Sequence, residues 1–273
     1  MENLLILLIA ILPVYIIAIY VYSKDHNKES RNLLTRLFLY GMAACVPAII
    51  LEVFVGPLLG DKSQMSGLNL FIYIFIAIAL VEEISKWFFV YKIAYHNKEF
   101  DHIYDAIVYC VFVSLGFAFL ENILYAFMGG ITVGLLRAIT AVPGHAIDGI
   151  IMGEHLGIAK KYNTRKKYSN EVIAKMLSII LPTLAHCIYD YCLYTGNMTY
   201  LIVFLIYLLV MYIYSFKTIK RLSNIKSNFV TPFTIKSRGL AKKCPICGYI
   251  TPKEICPNCN TNLKINNNNN LTQ

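Results

Sequence analysis

The chain has 273 residues, 57% of them hydrophobic and only 15% charged, with a mean hydropathy of +0.56. That balance excludes a soluble domain with a polar surface for most of the length and predicts an all-α polytopic membrane protein. The formal charge of +9 does not point to a nucleic-acid partner, because the basic residues lie between apolar segments instead of gathering on one soluble face.

A spanning helix takes roughly 20 apolar residues, each rising about 1.5 Å through a hydrocarbon core of about 30 Å. About seven segments qualify, at residues 3–22, 33–59, 69–95, 104–128, 131–158, 172–195 and 198–216. They predict a transmembrane domain over residues 1–222, with a motif-bearing core at 80–190. The first segment has neither a basic lead region nor a small-residue cleavage site, so it reads as a retained helix with its N-terminus outside. Basic residues follow the odd-numbered segments: Lys24, Lys28, Arg31 and Arg36; Lys92 and Lys98; Lys160, Lys161, Arg165, Lys166 and Lys167; and Lys217, Lys220, Arg221 and Lys226. The intervening loops hold only Lys62. Seven spans with the C-terminus cytoplasmic put every basic loop on the inner side of the cell membrane.

The third segment contains VEEISKWFFV, in which Lys86 stands four residues after Glu82 and three after Glu83, so it can neutralise one carboxylate from its own helix, Glu83 by preference. The other glutamate then needs a proton or a partner from elsewhere, which is how a general base or a metal ligand arises. Asp105 opens the fourth segment as a candidate helix cap. The same segment carries FAFLEN, with Glu121 one turn after Phe117 and Asn122 next to it. The fifth includes RAITAVPGHAIDG, where Arg137, Pro143 and two glycines predict a broken or partly re-entrant helix, and where His145 precedes Asp148 by three residues and Gly149 by four. Arg137 is suited either to pairing with a carboxylate or to snorkelling toward the outer face. In the sixth, HCIYD sets His186 one turn before Asp190, so that the carboxylate can orient the imidazole.

A lone intramembrane histidine or asparagine more often makes a helix-packing hydrogen bond than a ligand, and a single Glu–Lys pair can be structural glue. Here three glutamates and two histidines fall on four spans at compatible depth, which exceeds what packing requires. Cys45, Cys110, Cys187 and Cys192 read as small apolar packing residues.

Beyond the last segment the composition turns polar and basic over a linker at 223–243. Then CPICGYITPKEICPNC pairs Cys244 with Cys247 and Cys256 with Cys259, each as C-x-x-C. Four thiolates so spaced, with a glycine after the first pair, predict a zinc ribbon at 244–260 holding a structural zinc with no open coordination position. Two disulfides are the competing reading, which the cytosolic placement disfavours. Residues 261–273 form an Asn-rich low-complexity end that is expected to be disordered.

The motifs of residues 80–190 resemble those of the PrsW family of intramembrane proteases, itself similar to the CAAX prenyl protease and Abi superfamily. They are EExxK (Glu82, Glu83, Lys86), FxxxEN (Phe117, Glu121, Asn122), HxxxG (His145, Gly149) and HxxxD (His186, Asp190). The family's DGIVYG stretch is here Asp105-Ala106-Ile107-Val108-Tyr109-Cys110, with both glycines replaced. The resemblance implies membrane-embedded peptide hydrolysis, typically of a single-pass substrate such as an anti-sigma factor. On that basis Glu82 is expected to be the general base, helped by Glu121 or His145. His186, oriented by Asp190, is expected to polarise the carbonyl or protonate the amine, while Glu83, Lys86 and Asn122 support the site. Two histidines and a carboxylate also make a catalytic zinc set, but no span carries HExxH, so the sequence favours metal-free glutamate catalysis with a membrane zinc as the alternative.

Two other classes stay open at this point. A proton-coupled transporter or channel would use the same buried groups, though the halves show no inverted repeat. A scaffold recruiting a cytoplasmic protein through the ribbon would leave the buried carboxylates without a role.

Overall fold

The computed structural model describes residues 2–225, 242–244, 246, 250, 251, 255, 261 and 262. Helix α1 (Glu2–Ser23) gives way to a short connector, and α2 (Arg31–Leu59) starts at Ser30, whose hydroxyl accepts from the Leu33 amide. The third apolar stretch is built of α3 (Gly67–Tyr73), a π-helical segment Ile74–Ala79, α4 (Leu80–Val90) and a second π-helical segment Tyr91–Tyr95. There follow α5 (Ile103–Ile139), α6 (Ala141–Thr164), α7 (Tyr168–Tyr194) and α8 (Met198–Ser223). His102 and Asp105 cap α5 reciprocally, as the position of Asp105 suggested.

Six helical stretches among the described residues are long and apolar enough to cross a membrane, where the sequence suggested about seven. The difference lies in one stretch of 62 residues, Ile103–Thr164, which contains the segments expected at 104–128 and 131–158. It reverses at Gly130, whose φ of 82° and ψ of 176° suit a residue without a Cβ, and it breaks again at Thr140. The returning limb packs on the outgoing one. A Cβ at Gly153 would fall 2.6 Å from Ile107 Cα, so glycine is what lets the backbones of α5 and α6 touch.

Polarity is arranged inside out. The first half of α5 is almost wholly buried, while α1, α2 and α8 turn Leu12, Ile16, Phe54, Leu58, Leu205 and Leu209 outward. Among the buried side chains are Glu82, Glu83, Lys86, His145, Asp148 and His186. An apolar exterior around a polar interior fits a multi-pass membrane protein. Cys45, Cys110, Cys187 and Cys192 are buried, in keeping with packing roles.

The tail is a separate compact unit. In it, Lys242–Lys243 pairs antiparallel with Ile250–Thr251, and Ile255 bridges Asn262. Cys244 is buried. Cys247, Cys256 and Cys259, most of the linker and nearly all of the Asn-rich end lie outside the described residues.

Candidate active site

The site grows from α4. Glu82 and Glu83 occupy its first turn and Lys86 its second, so helical spacing alone brings the lysine beneath both carboxylates. Lys86 Nζ donates to Glu83 Oε1 at 2.7 Å and reaches Glu82 Oε2 at 3.4 Å. It also lies 3.0 Å from His145 Nδ1 on α6 and 4.2 Å above the Phe117 ring on α5. This lysine is completely buried and serves as the local counter-charge. Both ends of α4 abut π-helical turns, a local widening that often accompanies functional sites.

The two glutamates are held differently. Glu83 Oε1 takes His186 Nδ1 from α7 at 3.0 Å in addition to Lys86, while its Oε2 is buried with no hydrogen-bond partner. Glu82 has its shortest polar contact at the 3.4 Å Lys86 distance and lines a cavity of about 550 Å³. His186 Nε2 sits 3.9 Å from Glu82 Oε2 and 3.7 Å from Asp190 Oδ2. Asp190 thus stands in ion-pair reach of His186 but beyond hydrogen-bond distance, and the hydrogen bond to the ring comes from Glu83.

A second chain of contacts closes the other side. Glu121 Oε2 faces His145 Nε2 and Arg137 Nη2, each at 2.7 Å, and the guanidinium lies 3.9 Å over the Tyr125 ring. The rings of His145 and His186 meet edge to face with centroids 5.2 Å apart. Of the expected site residues, Glu82, Glu121, His145, His186 and Asp190 line the cavity, and Glu83 and Lys86 stand directly behind it. Asn122 is buried away from the lining, and neither of its amide atoms has a hydrogen-bond partner.

Several lining residues had no assigned role in the sequence. Asp148, one turn after His145, has its Oδ2 4.0 Å from His186 Nδ1, and its spacing was the available signal. Glu52, Lys62, Tyr125, Tyr189, Tyr194 and Tyr207 also line the cavity, and nothing in their local sequence marks them. Five carboxyls (Glu82, Glu121, Asp148, Asp190 and Glu52) thus share the lining with two fixed cations, Lys62 and Arg137.

Glu82, Glu83, His145 and His186 each offer a ligand atom within 4.8 Å of the others. Two imidazoles and two carboxylates fit a divalent transition ion by donor chemistry, and the unpartnered Glu83 Oε2 agrees with that. Lys86 already contacts three of these four residues, so its ammonium and an ion draw on the same donors.

Buried acids and imidazoles around a cavity inside an apolar helical bundle define a membrane-embedded enzyme site. A family model described as PrsW family intramembrane metalloprotease matches residues 29–216. The chain is 35% identical over 216 residues to Protease PrsW of Oceanobacillus iheyensis, covering 79% of this chain and 95% of that protein. It is 33% identical over 220 residues to Protease PrsW of Halalkalibacterium halodurans, covering 77% and 94%. It is also 34% identical over 175 residues to Protease PrsW of Bacillus subtilis, covering 64% and 76%. No solved structure matches. The chain belongs to the PrsW family, and it is a membrane peptidase.

Proposed function

We propose that this chain hydrolyses a peptide bond of a single-pass membrane substrate of the anti-sigma-factor kind, with Glu82 as the general base that activates water in the cavity. The observation that carries this reading is the unequal treatment of two adjacent glutamates. Glu83 is bonded to Lys86 and His186, whereas Glu82 faces open volume. A base must reach both a water and the scissile carbonyl, and of the two only Glu82 lines the cavity.

His186 completes the step. Its Nδ1 is tied to Glu83, which leaves Nε2 as the nitrogen able to polarise the carbonyl or pass a proton to the leaving amine. Glu121, gripped by Arg137 and His145, positions His145 against Lys86. Glu82 takes a proton from water, the hydroxide adds to the carbonyl carbon, and the C–N bond breaks as that proton is delivered to the leaving amine nitrogen, giving a carboxylic acid and an amine. A divalent ion at Glu82, Glu83, His145 and His186 would supply Lewis acidity and a more acidic water. Water activation is assigned to Glu82 because Lys86 provides positive charge at those same donors.

The basic loops favour an N-terminus outside the cell membrane and a cytoplasmic tail. We assign a structural zinc to Cys244, Cys247, Cys256 and Cys259. Antiparallel pairing of Lys243 with Ile250 brackets the first C-x-x-C and that of Ile255 with Asn262 the second, a spacing suited to two knuckles. The ribbon would recruit a cytoplasmic protein partner.

The test is co-expression of wild type and Glu82→Gln, at matched membrane levels, with a panel of tagged single-pass proteins. Fragments should appear with the wild type and fall at least about 100-fold in the variant. Fragments undiminished in the variant would remove Glu82 from the role. Proton flux in proteoliposomes that responds to the same substitution, with nothing cleaved, would favour a transporter.

A further inference from the structure

A second group of carboxyls lies well away from the cavity in sequence and takes no part in the chemistry above. Asp25 and Glu29 sit on the α1–α2 connector and Asp105 on the first turn of α5. One oxygen of each lies within 4.8 Å of the others. All three are buried, with 5%, 4% and 0% of their surface exposed respectively.

Their local hydrogen bonds use only part of their capacity. Asp25 Oδ1 accepts from the Asn27 amide at 3.0 Å, and Asp105 Oδ2 accepts from the amides of Asp101 and His102 at 2.9 and 2.7 Å. Glu29 Oε2 accepts from the Tyr109 hydroxyl. Asp25 Oδ2 and Asp105 Oδ1 are left buried with no hydrogen-bond partner. Among the described residues none of the three carboxyls is in an ion pair with lysine, arginine or histidine. The nearby cations are engaged elsewhere: Lys28 Nζ donates to the Tyr22 carbonyl, and His102 is bonded to Asp101. Lys28 and His102 stand near enough to act on the group but form no ion pair with it; buried carboxylates without a paired charge are costly, and a bound cation relieves that cost.

We propose that Asp25, Glu29 and Asp105 form a second cation site, taking a hard divalent ion of the Mg²⁺ or Ca²⁺ class. Carboxylate oxygens as the sole side-chain ligands select hard cations over zinc, which prefers nitrogen and sulfur. The adjacent group of Asp101, His102 and Asp105 shares Asp105, but there Asp101 and His102 are already bonded to each other. An ion at the three carboxyls ties the α1–α2 connector to the start of α5, the helix that carries Glu121 to the cavity.

The probe is Mn²⁺, titrated by electron paramagnetic resonance into the full-length chain in nanodiscs after EDTA treatment. Wild type should bind it, while Glu29→Gln and Asp25→Asn weaken it by at least about tenfold, since each removes one ligand charge. A second readout needs no altered ligand: Mn²⁺ should broaden a nitroxide on His26→Cys, in the connector, and leave one on Leu58→Cys, at the far end of α2, unchanged. Wild type that binds no Mn²⁺, binding equal in wild type and both ligand variants, or broadening confined to the Leu58→Cys label would each overturn the site.

Discussion

Glu83 on α4 and His186 on α7 are joined at 3.0 Å, Oε1 to Nδ1, in a contact between residues 103 positions apart. That bond separates the roles of two neighbouring glutamates. Glu83→Gln removes the charge that Lys86 and His186 share, and breaking a buried pair of this kind costs about 3–5 kcal/mol. Glu82→Gln should leave the apparent melting temperature in detergent close to wild type. The comparison of the two melting curves checks the assignment of one glutamate to structure and the other to chemistry.

Arg137 and Glu121 form the second test. Arg137→Gln frees Glu121 from its cation and loosens His145, so cleavage should fall, and Glu121→Gln should do the same. Because the two act through one contact, the double variant should be little worse than either single one, with a coupling energy of about 0.5–3 kcal/mol. Additive losses of cleavage would show that the pair does not work as a unit.

Gly153 tests the packing that sets the site. A Cβ there would lie 2.6 Å from Ile107 Cα, and its three nearest neighbours are all backbone atoms that cannot swing aside. Gly153→Ala should destabilise the chain by about 1–3 kcal/mol and reduce cleavage together with it. Thermal unfolding followed by light scattering, alongside fragment yield, reads both.

The acidic group near the connector gives a pH dependence. Glu29 has its folded pKa raised to about 9 from 4.5, so the folded chain keeps a proton that the unfolded chain releases. Stability from this group is therefore lost as pH rises from about 4.5 to 9. In EDTA, the wild type should lose more melting temperature between pH 6 and pH 9 than Glu29→Gln, in which the side chain cannot ionise. Equal losses in the two proteins would contradict the assignment.

The tail makes a separate prediction. Full-length chain purified under reducing conditions should contain zinc that Cys256→Ser or Cys244→Ser removes, measured by elemental analysis, with fragment production in detergent unchanged. Zinc content insensitive to both substitutions would exclude the ribbon as its holder.

The sequence made the local part of the site readable. Helical spacing puts both Glu82 and Glu83 in reach of Lys86, which lies closer to Glu83. The same rule suggested Asp190 for His186 and found it in ion-pair reach, but spacing says nothing of a closer partner arriving from α4, which is Glu83. Arg137 was visible as a charge in an apolar run, but its pairing with Glu121 depends on the reversal at Gly130, which the Gly129–Gly130 pair marks only as a turn. The π-helical turns and the lining tyrosines leave no periodic signature at all.

The central claim is that Glu82 activates the water. Its most direct test is single-turnover cleavage of a reconstituted substrate by purified wild type, Glu82→Gln and Glu82→Asp in proteoliposomes, with and without chelator. Glu82→Gln should show no detectable turnover, Glu82→Asp partial turnover, and the wild type a rate unchanged by chelation. Wild-type turnover by Glu82→Gln, or chelation that abolishes wild-type cleavage and is reversed by added metal, would contradict it.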